Sequence, residues 1–117
     1  MILAVGEALM EFRRLSGDGV LAIPGEWAGP YPSGAPAIFA SVAARLGAPT
    51  ALAAAVGDDR FGDAFLERMD RDGVYRDAVR VVPGRATAVA FVLMAISFAL
   101  LLTINVLQGW SVRRLAG

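Results

Sequence analysis

The sequence predicts an α/β layered fold that runs into one long apolar C-terminal helix. Three observations carry this reading. Strand-like and helix-like patterns alternate from Ile2 to Val92. Between Ser33 and Gly62, two glycine-punctuated turns flank a small-residue helix and a short apolar strand. From Ala88 to Leu107 the chain carries no charge. Alternation of strands with helices is the signature of a layered α/β domain.

The elements follow in order. Ile2–Val5 is a β-type run ending at Gly6, and apolar residues resume at Leu9, Met10 and Phe12 around Glu7 and Glu11, which predicts a buried first strand. Residues 16–34 hold five Gly and three Pro among Val20, Leu21, Ile23, Trp27 and Tyr31. That density of breakers excludes long helices and favours short strands or a flap. Pro36 suits a first helical turn, and Ile38, Phe39, Val42 and Leu46 then recur at helical spacing until Gly47 and Pro49. The other face of that helix is Ala and Ser, which allows close packing. Thr50–Val56 is an apolar run of strand length, consistent with a strand covered on both faces. Asp58 or Asp59 caps the next helix, Phe61, Phe65, Leu66 and Met69 form its buried stripe, and Gly73 follows its last turn. Glu67 with Arg71, and Arg68 with Asp72, fall four residues apart on the outer face. Ala78–Val82 and Thr87–Val92 read as two further strands around Pro83 and Gly84.

Composition limits the chemistry. At 117 residues the chain supports one modest core. Eleven acidic and eleven basic residues cancel, so no strong field draws in nucleic acid. Every basic residue is Arg, in a chain rich in Ala and Gly. With no Cys and no His, thiolate chemistry, imidazole catalysis and the usual zinc ligands are all excluded. Carboxylates, hydroxyls and backbone amides must do whatever chemistry there is. The N-terminus has no basic segment followed by a cleavable apolar run, so residues 1–85 are expected in the cytoplasm.

Four motifs in order resemble the PfkB or ribokinase family of carbohydrate kinases over about residues 1–92. ILAVGEALMEF resembles the family's first strand and acidic position, and SGAPAIFASVAARLG its small-residue sugar-side signature. VGDDRFGDAFLERMDRDGV resembles the next strand end and helix, and RVVPGRATAVAFV the strand returning to the substrate lid. The resemblance implies the N-terminal half of a ribokinase-like fold with β-lid elements. It also implies transfer of phosphate from ATP, with Mg²⁺, to a sugar hydroxyl in the intact family, and dimerisation through the lid. In that family Glu11 would accept hydrogen bonds from sugar hydroxyls, while Gly34 and Ala35 would let the sugar approach the backbone. Ile38 stands where the family commonly has an Asn that touches the sugar, a departure that an apolar side chain cannot compensate. Each position has a structural alternative. Glu11 can be a solvated strand end, Gly34 and Ala35 a tight turn, Ile38 a core residue, and Gly57 with Asp58 a strand end and helix cap.

The family's catalytic glycine-rich Asp motif and nucleotide pocket do not occur in these residues, nor does a GxxxxGK[ST] loop. No catalytic residue and no cofactor site are therefore expected in this chain. Phosphoryl transfer depends on positioning and on charge stabilisation around the transferred group, so the chain alone is expected to be inactive.

Residues 93–117 form the second segment, an apolar helix beginning near residue 88 with an Arg-containing tail. The 20-residue uncharged run Ala88–Leu107 has the length of a transmembrane helix. Trp110 would sit at an interface, and Arg113 with Arg114 would hold the end in the cytoplasm. The alternative is a lid strand over residues 87–92 followed by a buried amphipathic helix, although Thr103 and Asn105 share no tidy polar face with Ser97. MAISFALLLTINVLQGWSVRRLAG resembles the last helix and cytoplasmic end of sulfate or thiosulfate ABC-transporter permeases. Both resemblances together place a join between about Thr87 and Met94. Three outcomes are then expected to compete: a sugar-kinase fragment that binds a small sugar without ATP turnover, a chimeric remnant anchored in the inner membrane, and a non-functional fusion product.

Overall fold

The computed structural model describes residues 1–16, 21–92 and 94–116. Its elements are β1 (Ile2–Val5), β2 (Leu9–Arg14), β3 (Trp27–Ser33), α1 (Ala35–Arg45), β4 (Thr50–Gly57), α2 (Arg60–Asp72), β5 (Val79–Val82), β6 (Ala88–Val92) and α3 (Met94–Ala116). One sheet has the order β1-β4-β5 and is parallel, and a second has the order β3-β2-β6. The chain divides into two compact units. Met1–Phe12 with Gly29–Ala90 forms the first, and Arg13–Ala28 with Phe91–Gly117 the second.

The core of the first unit lies between the parallel sheet and two helices. Ala4 of β1 and Leu52 and Val56 of β4 are buried together with Ala37 and Ala40 of α1 and Phe65 and Met69 of α2. The small-residue face of α1 is therefore the buried one, because Ala side chains let the helix backbone approach the strands closely. The bulky stripe faces outward: Ile38 is 50% exposed and Leu46 is 82% exposed, with Phe39 and Val42 also exposed. This corrects the expectation that Ile38 is a core residue; periodicity located a face of α1 but not which face is inside. In α2 the expected stripe is the buried one. Phe65 and Met69 are enclosed, Phe61 and Leu66 pack at the margin, and Gly73 closes the helix in the left-handed region. Arg68 and Asp72 form their ion pair at 2.9 Å.

Two further corrections concern the strands. The apolar run from Ile2 to Phe12 is not one buried strand. It breaks at Gly6, and β1 and β2 enter different sheets. β1 is an outer strand with only Ala4 buried. β4 is covered by helices on the Thr50, Leu52 and Val56 face alone, rather than on both faces. Its pairing with the following segment begins early, at Tyr75, whose N–H and C=O bond Thr50 and Leu52 at 2.9 Å each.

In the second unit, Arg14 donates to the carbonyls of Ser16 at 2.7 Å and Pro24 at 3.3 Å. Its guanidinium also stands 5.6 Å from the Trp27 ring. Trp27 in turn meets Phe91 edge-on, with centroids 5.5 Å apart. Val20 of the expected flap lies outside the described residues, as does the side chain of Ser97.

The apolar C-terminal run is divided between two elements. Its first five residues form β6, and the helix starts at Met94 rather than near residue 88. The helical apolar part, residues 94–107, then spans roughly 21 Å against a hydrocarbon core of about 30 Å. The rest of α3 carries Gln108, Arg113 and Arg114, and Arg114 sits 3.9 Å over the Trp110 ring. Among the described residues no helix is long and apolar enough to cross a membrane, which overturns the transmembrane expectation.

Substitutions read by urea denaturation will separate the two faces of α1. Ala40→Leu, at a position with no solvent exposure, is expected to cost about 1–3 kcal/mol through overpacking. Leu46→Ala is expected to stay within about 0.5 kcal/mol. An equal loss at both positions would contradict the packing described.

Candidate functional site

The C-terminal ends of β1, β4 and β5 meet at one edge of the parallel sheet, which is where open α/β sheets generally place their ligands. Two glycine-dependent turns build that edge. At the first, Gly34 links β3 to α1 with φ 102° and ψ 131°, and caps the helix without a side-chain hydrogen bond. A Cβ on Gly34 would stand 2.7 Å from the Glu7 carbonyl oxygen, so only glycine fits. Ala35 and Pro36 open the helix, and the Ile38 amide donates to the Gly34 carbonyl at 2.9 Å.

At the second turn, Asp59 caps α2 and ties three segments together. One carboxylate oxygen accepts from the Gly62 amide at 2.8 Å and from the Thr87 hydroxyl at 2.7 Å. The other accepts from the Thr87 amide at 2.7 Å. The Thr87 hydroxyl, itself buried, accepts from the Gly57 amide at 3.0 Å. Side chains are excluded from both glycines of this knot. A Cβ on Gly57 would collide with the Arg85 carbonyl oxygen, and one on Gly62 with the Gly57 carbonyl oxygen. The hydrogen bond from the Thr87 hydroxyl, followed by those from the Thr87 and Gly62 amides, holds the Asp59 carboxyl below its ordinary value of 3.8. A cleft of about 180 Å³ lies beside this knot, lined among others by Ala8, Gly57, Val82, Arg85 and Thr87.

The β1–β2 turn connects the two. Gly6 lies against Pro36, Glu7 against Gly34, and Ala8 lines the cleft. Gly34, Ala35 and Ile38 are thus brought together on one helical turn, and Ala35 and Ile38 are both exposed there. Glu11 is placed differently. It lies half-buried on β2 with its carbonyl oxygen against Gly29 of β3, the strand that leads into Gly34. The acidic residue that meets the Gly34 turn is Glu7, which sequence reading treated only as an interruption of an apolar stretch. Thr87 was likewise read only as the start of a strand. The Asp59-x-x-Gly62 spacing signals a cap, but nothing in the sequence shows that a threonine 28 residues later completes it. Asp58 is neither the cap nor part of the knot.

Among the described residues, no group of three or more acidic side chains converges that could hold a metal ion. The Asp59 carboxylate is occupied by Thr87 and Gly62.

Two helices packed on one face of a parallel sheet, with glycine turns gathered at its strand ends, make the first unit an α/β layered domain. The family profile described as pfkB family carbohydrate kinase matches residues 1–96, and the chain belongs to that family. It is 36% identical over 93 residues to the fructokinase of Solanum tuberosum and equally so to fructokinase-2 of Solanum habrochaites. Each match covers 79% of this chain and 28% of the relative. Among solved structures, a ribokinase II candidate of E. coli in complex with ATP and Mg²⁺ superposes with a TM-score of 0.74 at 43% identity, over 78% of this chain and 30% of that one. The fructokinase of Xylella fastidiosa with bound ATP does so with 0.66 at 31%, over 77% and 28%. The chain therefore spans less than a third of the length of these relatives. Because the family match runs to residue 96 and no described helix is long and apolar enough to cross a membrane, the permease resemblance of residues 93–117 has no support.

One change tests the knot in two ways. Thr87→Val removes the bridging hydroxyl and is expected to cost about 1–3 kcal/mol in chemical denaturation at neutral pH. Its pH dependence is also fixed in sign. A carboxyl held below 3.8 stabilises the fold above that pH, and the benefit is lost as pH falls through its folded-state value. Thr87→Val returns the Asp59 carboxyl toward 3.8, so the variant should lose less stability than the parent between about pH 5 and pH 2. Parallel acid curves would contradict this role for Thr87.

Proposed function

We propose that this chain is the sugar-side part of a pfkB carbohydrate kinase, binding a small sugar through the Gly34 turn and carrying out no phosphoryl transfer by itself. The observation that carries the proposal is the turn itself: Gly34 held against Glu7 at the C-terminal edge of β1, inside a stretch that matches the family. Gly34 is buried against the Glu7 carbonyl, so the exposed part of the turn is Ala35 with Ile38, and a carboxylate suits paired sugar hydroxyls because it accepts several hydrogen bonds. Glu11 is the proposed sugar acceptor and Ile38 the neighbouring contact, with residues 1–92 as the kinase-like part. The fructokinase names of the relatives favour a ketohexose such as fructose.

ATP and Mg²⁺ belong to the intact kinases in this reading. Without a glycine-rich Asp motif, nothing here activates the sugar hydroxyl or steadies the transferred phosphate. Ile38 sets the affinity in this account. An exposed Ile offers a hydroxyl neither donor nor acceptor.

Titrating fructose into the isotope-labelled chain should shift the amide resonances of Glu7, Gly34, Ala35 and Ile38, with no phosphorylated product when ATP and Mg²⁺ are added. Ile38→Asn should tighten binding by about 1 kcal/mol, roughly fivefold in Kd. Glu11→Ala should weaken it. Shifts scattered away from the turn would sink the sugar-site reading, and turnover of ATP would sink the claim of inactivity.

A further inference from the structure

The parallel sheet has two faces, and the helices of the first unit cover one. Leu3 pairs in register with Ala51, Val5 with Ala53, and Ala55 with Arg80. Because side chains alternate along a strand, these residues point away from Ala4, Leu52 and Val56, which lie under α1 and α2. Leu3 is 61% exposed and Val5 68% exposed, and Ala55 and Arg80 are exposed beside them. Apolar side chains on a parallel sheet ordinarily lie beneath a second layer of helices. β1 is also the outer strand of the order β1-β4-β5, so its far edge pairs with no described strand.

The length of the relatives suggests what would cover this face. The matched stretch accounts for 28% of the curated fructokinases and 28–30% of the superposed kinases, so most of such a fold lies beyond it. We infer that the Leu3–Val5–Ala51–Ala53 face is a docking surface for the remainder of a pfkB-type kinase fold, and that it accepts this remainder when supplied as a separate polypeptide. The partner lays an apolar helical face over Leu3 and Val5, adds a strand to β1, and sets an acidic residue near Arg80 at the border. The inference rests on the family assignment, and it does not require the sugar site to bind.

The test uses the full chain co-expressed with the part of Solanum tuberosum fructokinase that lies beyond the matched stretch. A tag on one should recover the other in a one-to-one complex, and Val5→Glu should abolish that recovery. The chain has no Cys, so Val5→Cys provides a single thiol on the open face and Leu46→Cys a control on the outside of α1. Both thiols should react rapidly with a maleimide in the chain alone. In the complex, Val5→Cys should slow by roughly tenfold or more while Leu46→Cys is unchanged. No recovery of the partner, or a complex indifferent to Val5→Glu, would overturn the inference. So would slow labelling of Val5→Cys in the chain alone: slowing that grows with concentration means a second copy covers the face, and slowing independent of concentration means the chain covers it itself. Complex formation without fructose binding would remove the sugar reading and leave this one standing; the reverse result would do the opposite.

Discussion

Asp59 holds the functional edge of this protein together. Its carboxylate joins the end of β4, the start of α2 and the segment before β6, through two bonds to Thr87 and one to Gly62. These segments lie 28 residues apart in the chain, so the contact closes a long loop with three charge-assisted or buried polar bonds rather than with apolar area. That closure allows the chain to pass close enough to Gly57 and Gly62 that no side chain fits at either.

The packing of the first unit follows from residue size as much as from hydrophobicity. α1 uses alanines to lie tightly on β1 and β4, whereas α2 uses Phe65 and Met69 to fill the wider space toward β5. Tight seating of α1 brings its first turn against Gly6 and Glu7, so core packing and site geometry are one constraint. A larger residue at Ala37 or Ala40 would lift the helix and open the Gly34 turn with it. On the opposite face of the parallel sheet Leu3, Val5, Ala55 and Arg80 are exposed.

Much of this was legible in the residues. Alternating patterns located α1, β4, α2, β5 and β6 to within a residue or two, because breakers such as Gly47, Pro49, Gly57 and Gly73 stand at the element ends, whereas β1 and β2 read as one strand and β3 only as part of a flap. The ordered motifs also pointed to the correct family. Burial was less legible. The large stripe of α1 looks like an inner face because large apolar residues usually are, yet Ala37 and Ala40 lie in the core and Ile38 faces outward. The C-terminal run misled for a related reason. A run without charge does not reveal that Ala88–Val92 is taken up as a strand, which leaves the apolar part of α3 too short for a bilayer. The knot was half visible: Asp59 announces itself as a cap, but its partnership with Thr87 is tertiary.

Amide hydrogen exchange at Gly57, Gly62 and Thr87 tests the central claim most directly. If Asp59 and Thr87 lock the sheet edge, the three amides should exchange together, as slowly as the interior of β4, because each donates to a partner within the knot. If they exchange at the rate of an unstructured peptide while β4 stays protected, the edge is not locked and the site described at it is not preformed.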